Sequence, residues 1–469
     1  MLIERLYHRG LAQASYLIGC QATGEALVVD PNRDIEQYLA AAARHGLRIT
    51  AIAETHIHAD YLSGARALAA RTGATLYVSD AGPPEWRYAD ADEVGAALLR
   101  DGDLIRVGNL QVQALHTPGH TPEHLAYLVA QSDGAVPVGL LSGDFVFVGD
   151  VGRPDLLERA VGVSGAMEEG ARQLFASLGR FRALPEYLQV WPGHGAGSAC
   201  GKSLGALPQT TVGYELRTNW ALQIRDEEAF VDAVLEGQPD PPPYFARMKR
   251  LNQQGPPAPP AADLPQLDAD ALGRAGHGEL FLLDIRPAAA FATCHIPGSV
   301  NIPAGDSLLK WAGWLVPYDR PIALVGEAEA AREVRRELLL IGLDDVAGFW
   351  TPAAIERWRS AGGETRTVER RRAAELLTLA QRPSTLVIDV RAADEHAAGH
   401  IPGSRHVPLG RLSEALSELP PERAIIVHCQ SGYRSGIAAS VLQAHGRAGV
   451  IDMEDGFDGW KAAGGPVAV

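Results

Sequence analysis

Glu54-Thr-His-Ile-His-Ala-Asp-Tyr-Leu-Ser-Gly64 is the stretch whose reading decides the fold. The apolar run Ile49–Ala53 ahead of it predicts a buried strand, and Gly64-Ala-Arg-Ala-Leu-Ala-Ala-Arg71 behind it predicts a helix. His56, His58 and Asp60 therefore fall at the exit of a strand, where a rigid sheet can hold imidazoles and a carboxylate convergent. Working outward, three later segments repeat the arrangement: Thr117-Pro-Gly-His120, Ser142-Gly-Asp144 after the apolar Val138–Leu141, and Trp191-Pro-Gly-His194 after another short apolar stretch. A single histidine is ordinarily a core or surface residue. Four such elements, each closing a predicted strand, predict a metal site.

Composition sets the bounds around that site. At 469 residues the chain is long enough for two to four domains. A formal charge of −15 argues against nucleic acid or an anionic membrane surface as partner. The one basic cluster, Arg366 to Arg372, reads as the start of an amphipathic helix with a solvated face. No stretch approaches the apolar length of a membrane span, and Met1-Leu-Ile-Glu-Arg5 lacks the apolar core of a secretory signal. The four cysteines, Cys20, Cys200, Cys294 and Cys429, are widely spaced with no CxxC, so a reducing compartment, the cytoplasm, is expected. Cys20 and Cys200 read as small packed hydrophobes.

Along the chain, short strands open the sequence, a helix is expected at Ile35–His45, and Asp101–Val112 reads as a hairpin turning at Gly108-Asn109. After a helical region ending near Leu235, Pro239-Asp-Pro-Pro-Pro243 and Gly255-Pro-Pro-Ala-Pro-Pro260 interrupt the pattern, the second as a semi-rigid linker. An internal repeat then follows. Leu282-Leu-Asp-Ile-Arg286 through His295-Ile-Pro-Gly-Ser299 matches Val387-Ile-Asp-Val-Arg391 through His400-Ile-Pro-Gly-Ser404 without a gap. Each copy is the size of one small α/β domain. The expected division is 1–254, a linker at 255–266, then 267–364 and 365–469.

In the last copy the apolar strand Ala424–His428 runs into Cys429-Gln-Ser-Gly-Tyr-Arg-Ser435 and a helix over Gly436–Ala444. A cysteine at a strand-to-helix turn has backbone N–H groups and a helix N-terminus aimed at its sulfur, with Arg434 alongside. That environment favours a nucleophilic thiolate. The middle copy has no cysteine there: Pro321–Gly326 passes directly into Glu327-Ala-Glu-Ala-Ala-Arg332. Cys294 stands far from that loop and reads as structural.

The first domain resembles the persulfide dioxygenase branch of the metallo-β-lactamase superfamily, on Thr55-His-Ile-His-Ala-Asp60, Thr117–His120, Ser142–Asp144 and Gly152-Arg-Pro-Asp155. The two repeats resemble the rhodanese family. The fold so implied is α/β throughout: an N-terminal αββα sandwich followed by two small α/β domains, the first of them without its catalytic cysteine. The resemblance implies one Fe(II) per chain on His56, His120 and Asp144, a two-imidazole, one-carboxylate set suited to non-haem iron. It makes His58, Asp60, Tyr61 and His194 the groups that orient those ligands. Tyr61 stands where related glyoxalase II hydrolases carry a histidine for a second metal, which argues against a dinuclear hydrolase.

Arg153 is a candidate clamp for a substrate carboxylate, with a turn arginine paired to Asp155 as the alternative; Lys202 and Arg217 are weaker candidates. Four residues separate Cys429 from Arg434, a loop suited to sulfane sulfur transfer more than to phosphate. The implied function is oxidation of a low-molecular-weight thiol persulfide by O2 to sulfite and thiol, coupled through Cys429 to sulfur transfer with thiosulfate as product or substrate. A homo-oligomer is expected. The alternatives are a glyoxalase II-like zinc thioesterase and a sulfur-carrier protein.

Overall fold

The computed structural model describes the chain apart from Asp133, Val161, Val163, Ser164, Ala261, Ala262, 269–271 and 273–278. Part of the expected linker and the start of the expected middle domain therefore lie outside the described residues. The chain forms two compact units, Met1–Pro260 with Leu339–Gly342, and Ala261–Leu338 with Leu343–Val469. Among the described residues no helix is long and apolar enough to cross a membrane.

The first unit is built on two six-stranded sheets. In one, Leu2–His8, Gln13–Cys20, Glu25–Val29, Arg48–Ala53, Thr75–Ser79 and Ala97–Leu99 lie side by side in chain order. In the other, Leu104–Val107, Leu110–His116, Leu125–Ala130, Pro137–Gly143, Gln189–Pro192 and Thr210–Thr211 do the same. Because strand side chains alternate, each sheet has two faces to bury. Tyr16, Ile18, Leu27 and Val29 point inward to meet Ile105, Val112, Leu125 and Tyr127 of the other sheet. Leu17, Ala26 and Val28 point outward under the helices Glu36–Arg44 and Ala65–Thr72. On the far side, Leu140 and Val190 pack beneath Ala166–Arg182 and Glu227–Leu235. Helix, sheet, sheet, helix is the expected αββα order.

The second unit holds two parallel sheets, one per repeat. The middle copy has four strands, Val300–Asn301, Phe281–Asp284, Ile322–Val325 and Val346–Trp350 in that order across the sheet. The last copy has five: Glu369–Arg371, Val450–Met453, Ala424–His428, Thr385–Asp389 and Arg405–His406. The repeated Asp-x-Arg has the same structural use in both. Asp284 and Asp389 each hold the arginine two residues on, whose guanidinium reaches Cys294 O at 2.9 Å and Gly399 O at 2.7 Å, just before His-Ile-Pro-Gly.

One local expectation is corrected. The basic cluster does not open a helix at Arg366. Glu369–Arg371 is an edge strand, and a short helix begins only at Ala373. Arg370 lies beside Asp452 of the neighbouring parallel strand and pairs with it at 3.0 Å, a tertiary pairing that overrides local helix propensity.

Candidate functional site

The four strand exits named from the sequence converge. His56 and His58 follow the end of Arg48–Ala53, His120 follows Leu110–His116, Asp144 follows Pro137–Gly143, and His194 follows Gln189–Pro192. All five side chains are buried. Thr55 Oγ1 donates to Asp30 Oδ2 at 2.9 Å, which leaves it to accept from His56 Nδ1 at 2.9 Å. His120 Nδ1–H donates to the carbonyl of Arg153 at 3.0 Å. Both Nε2 lone pairs are thereby free and turned inward. Asp144 Oδ1 accepts from His194 Nδ1 at 2.8 Å. Its other oxygen, Oδ2, is buried with no hydrogen-bond partner and lies 3.4 Å from His120 Nε2 and 3.9 Å from His56 Nε2. Two imidazole Nε2 atoms and an unpartnered carboxylate oxygen, within 4.8 Å of one another, form a group that can hold a cation.

Electrostatics agree with this assignment. Burial, then the neighbouring His58 and His120, keeps His56 well below its ordinary value, so it is a neutral ligand. Burial likewise lowers His120, against the pull of Asp144. Burial opposes a charge on Asp144, yet His194 and His120 outweigh it and hold the carboxylate ionised. Burial also opposes charging His194, but Asp144 and Asp60 on its two sides prevail, and the ring is held well above its ordinary value.

His194, Asp60, His58 and Tyr61 are linked around this cluster. His194 Nε2 donates to Asp60 Oδ2 at 2.8 Å, so His194 ties Asp60 to Asp144. His58 is 3.2 Å from Asp30 Oδ1 and stacks on Tyr61 with ring centroids 4.5 Å apart. Gly193 has to be glycine, since a Cβ there would stand 2.9 Å from Asp144 Oδ1.

Two contributors escaped the sequence reading. Asp30, with φ of 53°, accepts from Thr55 N–H at 2.7 Å as well as from its hydroxyl, and so anchors the whole His56–His58 segment. A non-glycine residue in the left-handed region is strained and is held there by its surroundings; Asp30 before Pro31 at a strand end was the available signal. His124 accepts from Asp144 N–H at 3.1 Å through Nε2, so its Nδ1–H donates to Thr117 at 2.8 Å.

The three expected substrate contacts are corrected. Arg153 is fully enclosed and gives its donors to Asp155 at 2.7 Å, Ala199 O at 3.1 Å and Pro239 O at 2.7 Å, the paired-arginine alternative. Lys202 Nζ donates to Ala233 O at 2.6 Å over the ring of Trp220. Arg217 pairs with Glu186 at 2.9 Å on the surface.

In the last repeat, Cys429 is buried at the end of Ala424–His428, ahead of the helix Tyr433–Ala444. Gly432 N–H donates to its sulfur at 3.1 Å. Gly432 has φ of 98°, and a Cβ there would strike Glu454 O, so only glycine closes this turn. Arg434 is held bidentate by Glu395, at 2.6 and 2.7 Å. In the middle copy only Gly326 and Glu327 lie between strand and helix, two residues where the last copy has four (429–432). The cradle itself is missing there, along with the cysteine. Cys20, Cys200 and Cys294 are unpaired and buried.

A buried two-histidine, one-aspartate group able to hold a cation at the edge of an αββα sandwich is the arrangement of a metallo-β-lactamase fold, here with a cysteine loop on an α/β domain. The chain belongs to the metallo-β-lactamase superfamily and carries two rhodanese-like domains. The superfamily profile matches residues 8–194, and that of the rhodanese-like domain matches 268–351 and 372–463. A metallo-β-lactamase structure from Staphylococcus aureus subsp. aureus COL is 44% identical, with 75% of this chain and 99% of that one covered at a TM-score of 0.70. A hydroxyacylglutathione hydrolase of Rhodospirillum rubrum is 34% identical over 179 residues, 38% of this chain and 60% of its own length. The ETHE1 structure from Myxococcus xanthus is 29% identical over 54% of this chain and 98% of its own, with a TM-score of 0.44. The chain thus spans less than two thirds of the length of the first curated relatives it matches.

Proposed function

We propose that the first unit is a mononuclear iron dioxygenase acting on a low-molecular-weight thiol persulfide, such as glutathione persulfide. In this reading Cys429 transfers sulfane sulfur, with sulfite and thiosulfate as the products that link the two chemistries. The observation that carries it is the convergence of His56 Nε2, His120 Nε2 and Asp144 Oδ2 within 4.8 Å of one another, with no fourth ligand in that set among the described residues. Two imidazoles and one carboxylate with open positions opposite suit ferrous iron. His56, His120 and Asp144 would hold the iron, which would supply dioxygen activation when bound.

The chain's own residues do the rest. Thr55 and the Arg153 carbonyl keep both imidazoles in the ligating tautomer. His194, charged between two carboxylates, fixes the angle of Asp144 and keeps it ionised. Buried Tyr61, where glyoxalase II hydrolases carry a histidine, removes one donor from a second metal position. In the second unit the Gly432 N–H and the helix N-terminus face the Cys429 sulfur, whose thiolate attacks the outer sulfur of a persulfide as the old S–S bond breaks and the carrier leaves as its thiolate.

A zinc thioesterase is the second reading, favoured by one observation. Asp60, His194 and Cys200 also bring three donor atoms within 4.8 Å, beside the first set. Against it, both His194 nitrogens are engaged by carboxylates, and burial pushes the Cys200 thiol well above its ordinary value. Anaerobic metal analysis, followed by O2-electrode assays with glutathione persulfide, decides between them. One iron per chain with persulfide-dependent O2 uptake is expected; two zinc ions with thioester hydrolysis and no O2 uptake would overturn the proposal.

A further inference from the structure

The repeat without a cysteine is not idle at the cysteine of its neighbour. Its helix Leu308–Leu315 packs on the turn Leu409–Arg411 of the last repeat so closely that a Cβ on Gly410 would stand 2.6 Å from the Trp314 ring. That turn follows Arg405–His406 at the edge of the sheet, and Leu409 N–H donates to Val390 O at 3.1 Å, one residue beyond Asp389. Asp389 is in turn the register partner of His428, the residue before Cys429. The helix therefore borders the carboxyl ends of the parallel strands, where α/β sheets bind their ligands. Two further contacts fasten the copies: Asn301 N–H donates to Ser440 Oγ at 2.9 Å, and a Cβ on Gly436 would meet that of Ala288 at 3.4 Å.

On the same helix as Trp314 lies Lys310, an exposed residue. Arg434, the cation of the cysteine loop, already gives two donors to Glu395, so its charge is largely cancelled before any substrate arrives. A dianion approaching Cys429 then meets a neutralised pair unless a further cation stands by. Lys310 lies four residues before Trp314, so on the same face of that helix, with Nζ 5.6 Å from the centroid of the Trp311 ring. Desolvation and the Arg434 charge both lower its ammonium from the ordinary value, while Glu395 opposes them.

We propose that Lys310, contributed by the cysteine-free repeat, binds the sulfur oxyanion that discharges Cys429, so that the acceptor site is assembled from both repeats. The inference rests on the reading of Cys429 as a sulfur carrier. The step balances. Sulfite sulfur attacks the outer sulfur of the Cys429 persulfide, a new S–S bond forms, and the Sγ–S bond breaks with its electron pair left on Cys429. Sulfite dianion and persulfide anion give thiosulfate dianion and thiolate, with no outside oxidant or reductant. Glu395, by occupying Arg434, makes the site depend on Lys310 for that dianion.

The test uses the full chain. Cys429 is charged with glutathione persulfide, and its gain of one sulfur is read by mass spectrometry. Discharge is then timed with sulfite or with dithiothreitol, a neutral acceptor, in wild type, Lys310→Ala and Lys310→Arg. One partly screened charge contact is worth roughly fivefold in kcat/KM. Lys310→Ala is expected to lose about that factor with sulfite and distinctly less with dithiothreitol, Lys310→Arg to recover most of it, and added salt to narrow the gap. Equal losses with both acceptors, or none with sulfite, would overturn the role of Lys310 while leaving Cys429 as carrier. If wild-type Cys429 takes up no sulfur, the carrier reading falls and the inference with it.

Discussion

Asp30→Asn isolates what a single buried carboxylate does for the metal centre. Asparagine tolerates the left-handed backbone that Asp30 adopts at φ of 53°, so the turn survives the change. Its remaining carbonyl oxygen can still accept from Thr55 N–H, now 2.7 Å from Oδ1. The second contact reverses. Where Oδ2 accepts from the Thr55 hydroxyl at 2.9 Å, an amide NH2 donates to it, and the hydroxyl must turn its proton toward His56 Nδ1. His56 then carries its own proton on Nε2, the nitrogen that faces Asp144 and His120, and must shed it before binding a cation. Loss of such a supporting group costs roughly 10–100-fold in metal affinity, which is about 1.4–2.7 kcal/mol. Metal-free wild type and mutant would be titrated anaerobically with Fe(II), and separately with Zn(II), against a chromophoric chelator. Circular dichroism would establish that both are folded. Affinities within about twofold of each other for both metals would refute the tautomer argument.

Three further outcomes follow from the same geometry. His120→Ala is expected to lose bound iron and O2 uptake together, since one of the three ligands that converge among the described residues is gone; stoichiometric iron with normal turnover would remove His120 from the set. Cys429→Ser keeps a hydrogen-bonding group at the turn but no ionisable thiol, so sulfur transfer and enzymatic thiosulfate should vanish while O2 uptake persists and sulfite accumulates; thiosulfate formation at the wild-type rate would show that another group carries the sulfur. Burial lowers both His295 and His428 to about 4, so each is neutral when folded and takes up a proton on unfolding below its ordinary 6.5. Their stabilising effect is full above that value and fades as the pH falls through the interval, by about 2 kcal/mol each near pH 5. Urea unfolding of the full chain at pH 7 and pH 5, with His295→Gln shrinking the difference, is the check.

How much of this was legible beforehand follows from the reach of each signal. The five side chains His56, His58, His120, Asp144 and His194 could be read at strand ends in advance, while the αββα order and the α/β character of the repeats came with the family resemblance. Each strand is an apolar run of its own, and each ligand is tied to the end of one, so local spacing is enough to place it. The same holds for Cys429, whose strand, turn and helix are contiguous. In the middle repeat the absent cysteine was legible in the same way, whereas the shortened loop of Gly326 and Glu327 was decided by the structure.

What only the tertiary structure decided depends on groups far apart in the chain. Arg153 looked like a substrate clamp because an arginine after a metal carboxylate carries no local sign of its partners; Asp155, Ala199 and Pro239 take up its donors only once the chain has folded around it. Arg370 belongs to a strand instead of a helix because Asp452 lies opposite it. Asp30 is the anchor of a segment that begins 25 residues later, and Glu395 is the partner of an arginine 39 residues away. A buried charge must find its counter-charge wherever the fold brings one, and that choice is made by packing, which no periodicity in the sequence records.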